Sequence, residues 1–220
     1  MSSSIIALPR NRFILFTAFC LFFVWNMGLC HAADNPVGEI VLLEGDATVR
    51  HSGETTAAPI RIGAKIFIKD VIKTEPGTKL RIQFVDSSIV SVGENTRLTV
   101  TNYLFSPERK VRSSMLDVAF GKVKVFANNL FGFRDKAFKV KTPTAIIGVR
   151  GTVFLVWVVD SEVTKVASFE NDITVANFYR PQDFLIVTQN NWTEVKANLP
   201  PDKPVLVTPE LFKELQQGLL

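Results

Sequence analysis

From Ile40 to Thr188 the chain repeats one pattern, short runs rich in Val, Ile, Phe and Thr separated by polar or glycine turns. The clearest run is Leu80, Ile82 and Phe84 alternating with Lys79, Arg81 and Gln83, the period-two signature of a half-buried strand. Further strand candidates are Ile40–Leu43, Ala47–Val49, Ile66–Ile68, Val71–Ile72, Ile89–Val92, Leu98–Val100, Val123–Val125, Phe138–Val140, Val153–Val159, Val163–Phe169, Ile173–Val175 and Phe184–Thr188. The turn Glu75-Pro76-Gly77-Thr78 has Pro and Gly where a four-residue turn uses them. No helical periodicity interrupts this region, which excludes a parallel α/β sheet and predicts an all-β fold, a sandwich, barrel or β-solenoid.

The two ends depart from the pattern. Residues 1–32 join a short segment carrying Arg10 and Arg12 to the uncharged run Phe13–Trp25 and a small-residue end, Ala32-Ala33. That is the layout of a secretory signal peptide cut after Ala32 or Ala33. The apolar run is about 13 residues, roughly 20 Å as a helix and shorter than a hydrocarbon core of roughly 30 Å, so cleavage is expected over a lasting membrane anchor. A lipoprotein signal using Cys30 is disfavoured by Leu29 before it. At the other end, residues 198–207 form a Pro-rich linker. Residues 208–220 then predict a short helix, with Thr208 as N-cap, Pro209 at the first helical position, and Leu211, Phe212, Leu215 and Leu219 on one face.

Cleavage would remove both cysteines, Cys20 and Cys30, and one of the two histidines, His31, and lower the net charge from +4 to +2. Thiol chemistry, thiolate metal sites and multi-histidine metal sites are then excluded, and stability rests on the core alone. A Ser-His-Asp arrangement would need His51, which lies in a polar turn and reads as solvated. No phosphate-binding glycine loop or zinc-helix motif occurs, so no catalytic, cofactor or metal residue is assigned, and no cofactor is expected. Carboxylate-based hydrolysis, as in an envelope hydrolase, stays open only if two acids meet at the floor of a deep cleft.

Two segments carry more than strand chemistry. One is Asp86-Ser87-Ser88 through Gly93-Glu94-Asn95. The other is Thr142-Pro143-Thr144-Ala145 followed by Gly148-Val149-Arg150-Gly151-Thr152. With Val37-Gly38-Glu39-Ile40, these resemble the FecR-type domain, over about residues 37–178. The resemblance implies an antiparallel β-sandwich or β-solenoid-like FecR domain on the periplasmic side of a bacterial envelope. Residues 179–197 would add strands packed on it. It makes Thr142, Pro143, Gly148, Arg150, Gly151 and Thr152 structural motif residues. Ser87 stands where the family has Gly, which suggests a different turn type, and Asn171 stands at a turn where Glu-Gly is usual, a mild change because Asn tolerates positive φ.

Signalling members of that family place a sigma-factor-handling segment before a membrane span. Only about twelve residues precede the apolar run here, so direct sigma-factor control is not expected. The expectation is a stand-alone exported module, periplasmic or secreted, that binds or senses and is not an enzyme. If the N-terminal segment were uncleaved, it would instead be a membrane-anchored periplasmic sensor.

Charge offers a candidate surface. Residues 109–150 carry net +8 and the rest of the cleaved chain −6. Lys122 and Lys124, and Lys139 and Lys141, alternate with apolar residues and should face solvent. Aligned, they would form a stripe for an anionic partner, an envelope protein or a cell-wall or lipid surface, whereas nucleic acid is not expected for an exported chain. Arg150 with its flanking glycines could hold an anion, but close backbone approach is the favoured reading of those glycines. Asn191-Trp192-Thr193, formally a glycosylation acceptor, reads as a turn entering a strand with Trp192 packed.

Overall fold

The computed structural model describes residues 35–130 and 132–219. The expected signal peptide, residues 1–32, and its cleavage positions lie outside the described residues. Alternating apolar and polar side chains build seventeen strands among the described residues, followed by one helix. In chain order the strands are β1 Gly38–Glu44, β2 Ala47–Arg50, β3 Ala58–Pro59, β4 Lys65–Ile66, β5 Val71–Thr74, β6 Lys79–Phe84, β7 Ile89–Val92, β8 Arg97–Ser106 and β9 Val111–Ala127. They continue with β10 Asp135–Lys141, β11 Ala145–Val149, β12 Thr152–Val158, β13 Val163–Ser168, β14 Ile173–Asn177, β15 Phe184–Val187, β16 Asn191–Lys196 and β17 Val205–Leu206, and the helix α1 is Pro209–Gln216.

The pairings form two sheets. The first runs β4-β1-β6-β7-β9-β12-β13-β16-β17. The second runs β3-β2-β5-β8-β9-β10-β11-β14-β15. Strand β9 belongs to both: residues 111–120 pair in the second sheet and residues 121–127 in the first. The join is Gly121, at φ +90°, where a Cβ would lie 2.2 Å from Thr96 Oγ1 and 2.5 Å from its Cα. Only glycine has both the backbone freedom and the room for this corner.

The sheets face each other across one apolar core, in which Phe84 of β6 stacks on Tyr103 of β8 at 4.5 Å and Tyr103 meets Phe138 of β10 edge-on. The all-β expectation holds, in sandwich form. One pairing departs from the antiparallel expectation: β10 runs parallel to β9. Because β9 doubles back at Gly121, its far end returns beside its beginning, as the Arg112 Nη1 bond to the Asn128 carbonyl shows. The connection from β9 therefore starts β10 next to Val111 and not next to Ala127.

Sequence after residue 178 is woven into the same body, because β16 pairs with β13 and β15 with β14. The Pro-rich stretch contributes β17 to the edge of the first sheet. Helix α1 starts as expected, with Thr208 Oγ1 accepting from Leu211 N at 3.3 Å. Its apolar face lies on the outer surface of the first sheet, where Leu215 is fully buried against Leu155 and Ala167 and packed round by Trp157, Phe169, Trp192 and Leu211. No described helix is long and apolar enough to cross a membrane.

Candidate functional site

The four lysines of the expected stripe do not form one surface. Lys122 and Lys124 project from the outer face of the first sheet and lie under α1. Lys122 Nζ donates to the Glu214 carbonyl at 2.8 Å and the Gln217 carbonyl at 3.2 Å, and sits 4.4 Å from the Trp157 ring centroid. Lys124 Nζ donates to Gln216 Oε1 at 3.1 Å. Lys122 thus satisfies carbonyls at the C-terminal end of the helix, which lack intrahelical partners, while Lys124 meets a side chain there, and both bring positive charge to the end where it is favoured. Burial pulls the Lys122 pKa down and nearby Lys165 adds to that, against the opposite pull of Glu214 and Glu94.

Lys139 and Lys141 project from the second sheet instead. Lys141 lies 3.6 Å from Asp117 Oδ2 and 4.6 Å from the Phe178 ring centroid. The period-two reading expected all four to face solvent; Lys139 is exposed and Lys141 partly so, whereas Lys122 and Lys124 are half-buried under sequence 92 residues downstream, and the two pairs belong to different sheets.

The Thr-Pro-Thr motif is a tie between the sheets. Thr142 Oγ1 accepts from Ala145 N at 2.8 Å, turning the chain from β10 into β11. Thr144 Oγ1 donates to the Val195 carbonyl at 3.0 Å and lies 2.7 Å from Thr164 Oγ1, so a turn of the second sheet is fastened to β13 and β16 of the first. Pro143 is half-buried between these two buried threonines. Thr152 is buried and donates to the Glu170 carbonyl.

The two glycines of the following step differ from each other. Gly151, at φ +83°, would place a Cβ 2.6 Å from the Asn129 Cβ and 2.7 Å from its Cα, so close approach accounts for it. Around Gly148 a Cβ would meet nothing within 4 Å, which departs from the close-approach reading there. Arg150 is exposed beside it, along an open hollow of about 420 Å³ that Lys139, Gly148, Asp172 and Thr174 also line.

The turn at Asp86-Ser87-Ser88 anchors a buried ion pair that the sequence reading missed. Arg112 and Asp86 have fully buried side chains with Nη1 3.0 Å from Oδ2. Asp86 also accepts from Tyr103 OH at 2.6 Å, from Ser88 Oγ at 2.9 Å and from Ser88 N at 2.9 Å. Burial, then the Asp86 charge, pushes the Tyr103 pKa far above its ordinary value. Ser87 has φ +64°, the left-handed conformation a glycine would take, so the turn expected to change type keeps it. Asn171 likewise has φ +55°, and its Nδ2 donates to the Gly151 carbonyl at 2.9 Å.

His51 is also placed differently from its solvated reading. Its Nδ1 lies 2.9 Å from Oδ1 of the fully buried Asp70, its ring meets Phe67 edge-on, and about a third of its side chain is exposed. Asp70 Oδ2 accepts from Phe67 N, so this carboxylate secures the chain entering β5. Trp192 packs beside α1 on the outer face of the first sheet, and Asn191 Nδ2 donates back to Thr188 Oγ1. No group of three or more His, Cys, Asp or Glu among the described residues is placed to hold a metal ion.

Comparison with known proteins agrees with this architecture. No curated protein matches the sequence. A 1.65 Å crystal structure of a candidate anti-sigma factor from Parabacteroides distasonis superposes with a TM-score of 0.52 and 16% identity, over 67% of this chain and 65% of that one. A 2.50 Å structure of the same description gives 0.51 and 17%, over 67% and 64%. The chain spans just under two thirds of the length of these relatives, and at such identity the likeness is one of fold. The FecR protein family matches from Asp70 to Thr174, the stretch holding the Asp86–Arg112 pair, the folded-back β9, the Thr142-Pro143-Thr144 tie and Gly151, and residues 70–174 are therefore a FecR domain.

Proposed function

We propose that this protein is an exported, non-catalytic binding or sensing module of a bacterial envelope, periplasmic or secreted after loss of residues 1–32. Its partner is an envelope component, a protein or an anionic cell-wall or lipid surface, and neither nucleic acid nor a cofactor takes part. The observation that carries this reading is the FecR domain at residues 70–174, a regulatory rather than catalytic family. The fold relatives described as anti-sigma factors point to regulatory protein contacts as well.

The placement of the acids supports binding over hydrolysis. The fully buried carboxylates, Asp70 and Asp86, serve His51, Tyr103, Arg112 and backbone amides inside the fold. A glycosidase-type pair would face a common cleft across a substrate.

Affinity capture of the tagged protein from its native envelope, with mass measurement of its N-terminus, tests the proposal. The expected result is a chain beginning at Ala33 or Asp34 that brings down a defined envelope component. An intact N-terminus would replace export with a membrane-anchored sensor, and turnover of an envelope glycan by the pure protein would overturn the non-catalytic reading.

A further inference from the structure

Gly148 is a glycine that the fold does not require. It sits in the middle of β11 without a left-handed φ, and a side chain there would meet no atom within 4 Å. Glycine inside a strand costs stability relative to residues that pack and restrict the chain. Gly151, three residues on, is needed for both its conformation and its crowding.

What the missing side chain leaves is the hollow on the outer face of the second sheet. In register, Gly148 lies between Lys139 of β10 and Thr174 of β14, each roughly 4.8 Å away across the sheet. Lys139, Arg150, Asp172 and Thr174 are all exposed around it, and the volume of about 420 Å³ suits a small ligand or the end of a chain. The same row continues from Thr174 to Ile186 of β15, which is 57% exposed, next to Phe184 at 62%. The hollow therefore has Lys139 on its β10 side, Thr174 and Asp172 on its β14 side, Arg150 two residues past Gly148 along the chain, and an apolar margin beyond.

We propose that the hollow over Gly148 is a binding subsite for the carboxyl terminus of a peptide or protein partner. The Lys139 ammonium and the Arg150 guanidinium hold the carboxylate, a geometry in which Arg can bind both oxygens at once. Asp172 and Thr174 accept from the peptide N–H groups that accompany a terminal carboxylate, and Asp172 disfavours a bare polyanion. The last side chains of the peptide lie over Gly148 toward Ile186 and Phe184. The inference rests on the reading of this protein as a binding module and assigns that module a surface and a ligand chemistry.

The test uses residues 35–220 and three probes: acetyl-Ala-Ala-Leu with a free carboxylate, the same peptide as its amide, and inorganic phosphate, each followed at millimolar concentration by NMR shifts. The free-acid peptide is expected to shift amides around Gly148, Arg150 and Thr174, with the amide form at least tenfold weaker. Gly148→Ile, which fills the hollow without backbone strain, should leave the melting temperature unchanged or higher and weaken the peptide at least tenfold. Arg150→Gln with Lys139→Gln provides the same readout should Gly148→Ile alter the fold. No shift with the free acid, equal binding of acid and amide, stronger binding of phosphate than of peptide, or full binding by the filled variant would each overturn the subsite. If envelope capture succeeds equally with wild type and Gly148→Ile, the binding-module reading stands and this one falls.

Discussion

Arg112 and Ser114 face inward from β9, at positions where an alternating strand would carry apolar residues. That substitution of polar for apolar hides the first half of β9 from a hydrophobic-pattern reading, and it makes Arg112 look like part of a solvated basic cluster. Inside the fold its charge is met by Asp86, and its plane lies 5.6 Å from the Phe138 ring centroid. Arg112→Met would leave the Asp86 charge buried without its cation and should cost about 3–5 kcal/mol in denaturant unfolding. Tyr103 gives a second reading of the same network. In a Tyr179→Phe background the phenolate absorbance of residues 35–220 should stay absent above pH 10 until the protein unfolds, because the folded chain holds the Tyr103 proton. The unfolded chain releases that proton near 10.0, so the contribution of Tyr103 to stability is intact below pH 10 and falls by about 1.4 kcal/mol per further pH unit. Ser87, held at φ +64°, should gain up to about 1 kcal/mol on change to Gly, since the left-handed conformation penalises a Cβ. A loss of stability in that variant would show that the Ser87 side chain, and not its backbone, matters.

Elements differ in how openly the sequence displays them. The strand β6 alternates cleanly and was legible, β12 and β13 were legible as runs rich in apolar and β-branched residues, and so was the amphipathic face of α1 with its Thr208 cap. The site on which α1 docks was not legible, because it is assembled from Leu155, Trp157, Ala167 and Trp192, residues brought together only by the pairing of β12, β13 and β16. The lysines that cap the helix arrive from yet another strand, and this is why a basic stripe drawn from local alternation came apart. So short a helix has little stability alone and depends on that face. Leu215→Ala, at a fully buried position, should destabilise the protein by about 2–5 kcal/mol and shift the emission of Trp157 and Trp192, which flank the helix. An unchanged melting temperature with unchanged emission would mean that the helix does not hold this position in solution.

At the scale of the molecule, the central fact is that one strand serves both sheets. β9 pairs with β8 and β10 in the second sheet and with β7 and β12 in the first, so neither sheet closes without it. The Thr144 bond to Val195 and the Asp86–Arg112 pair add further ties between the layers. Such coupling predicts one cooperative transition rather than separate melting of the N-terminal and C-terminal halves. Gly121 is the point at which the prediction can be made to fail. Its φ of +90° disfavours any side chain, and a Cβ would strike the Thr96 backbone, which cannot move without shifting β8. Gly121→Ala should therefore cost about 3 kcal/mol or more, in the range of severe single substitutions. The loss should appear at the same denaturant concentration in far-ultraviolet dichroism, which follows both sheets, and in the emission of Trp157 and Trp192, which report the first sheet and α1. Two separated transitions in the variant would show that the halves of β9 stabilise their sheets independently and that the shared strand is a connection without energetic coupling.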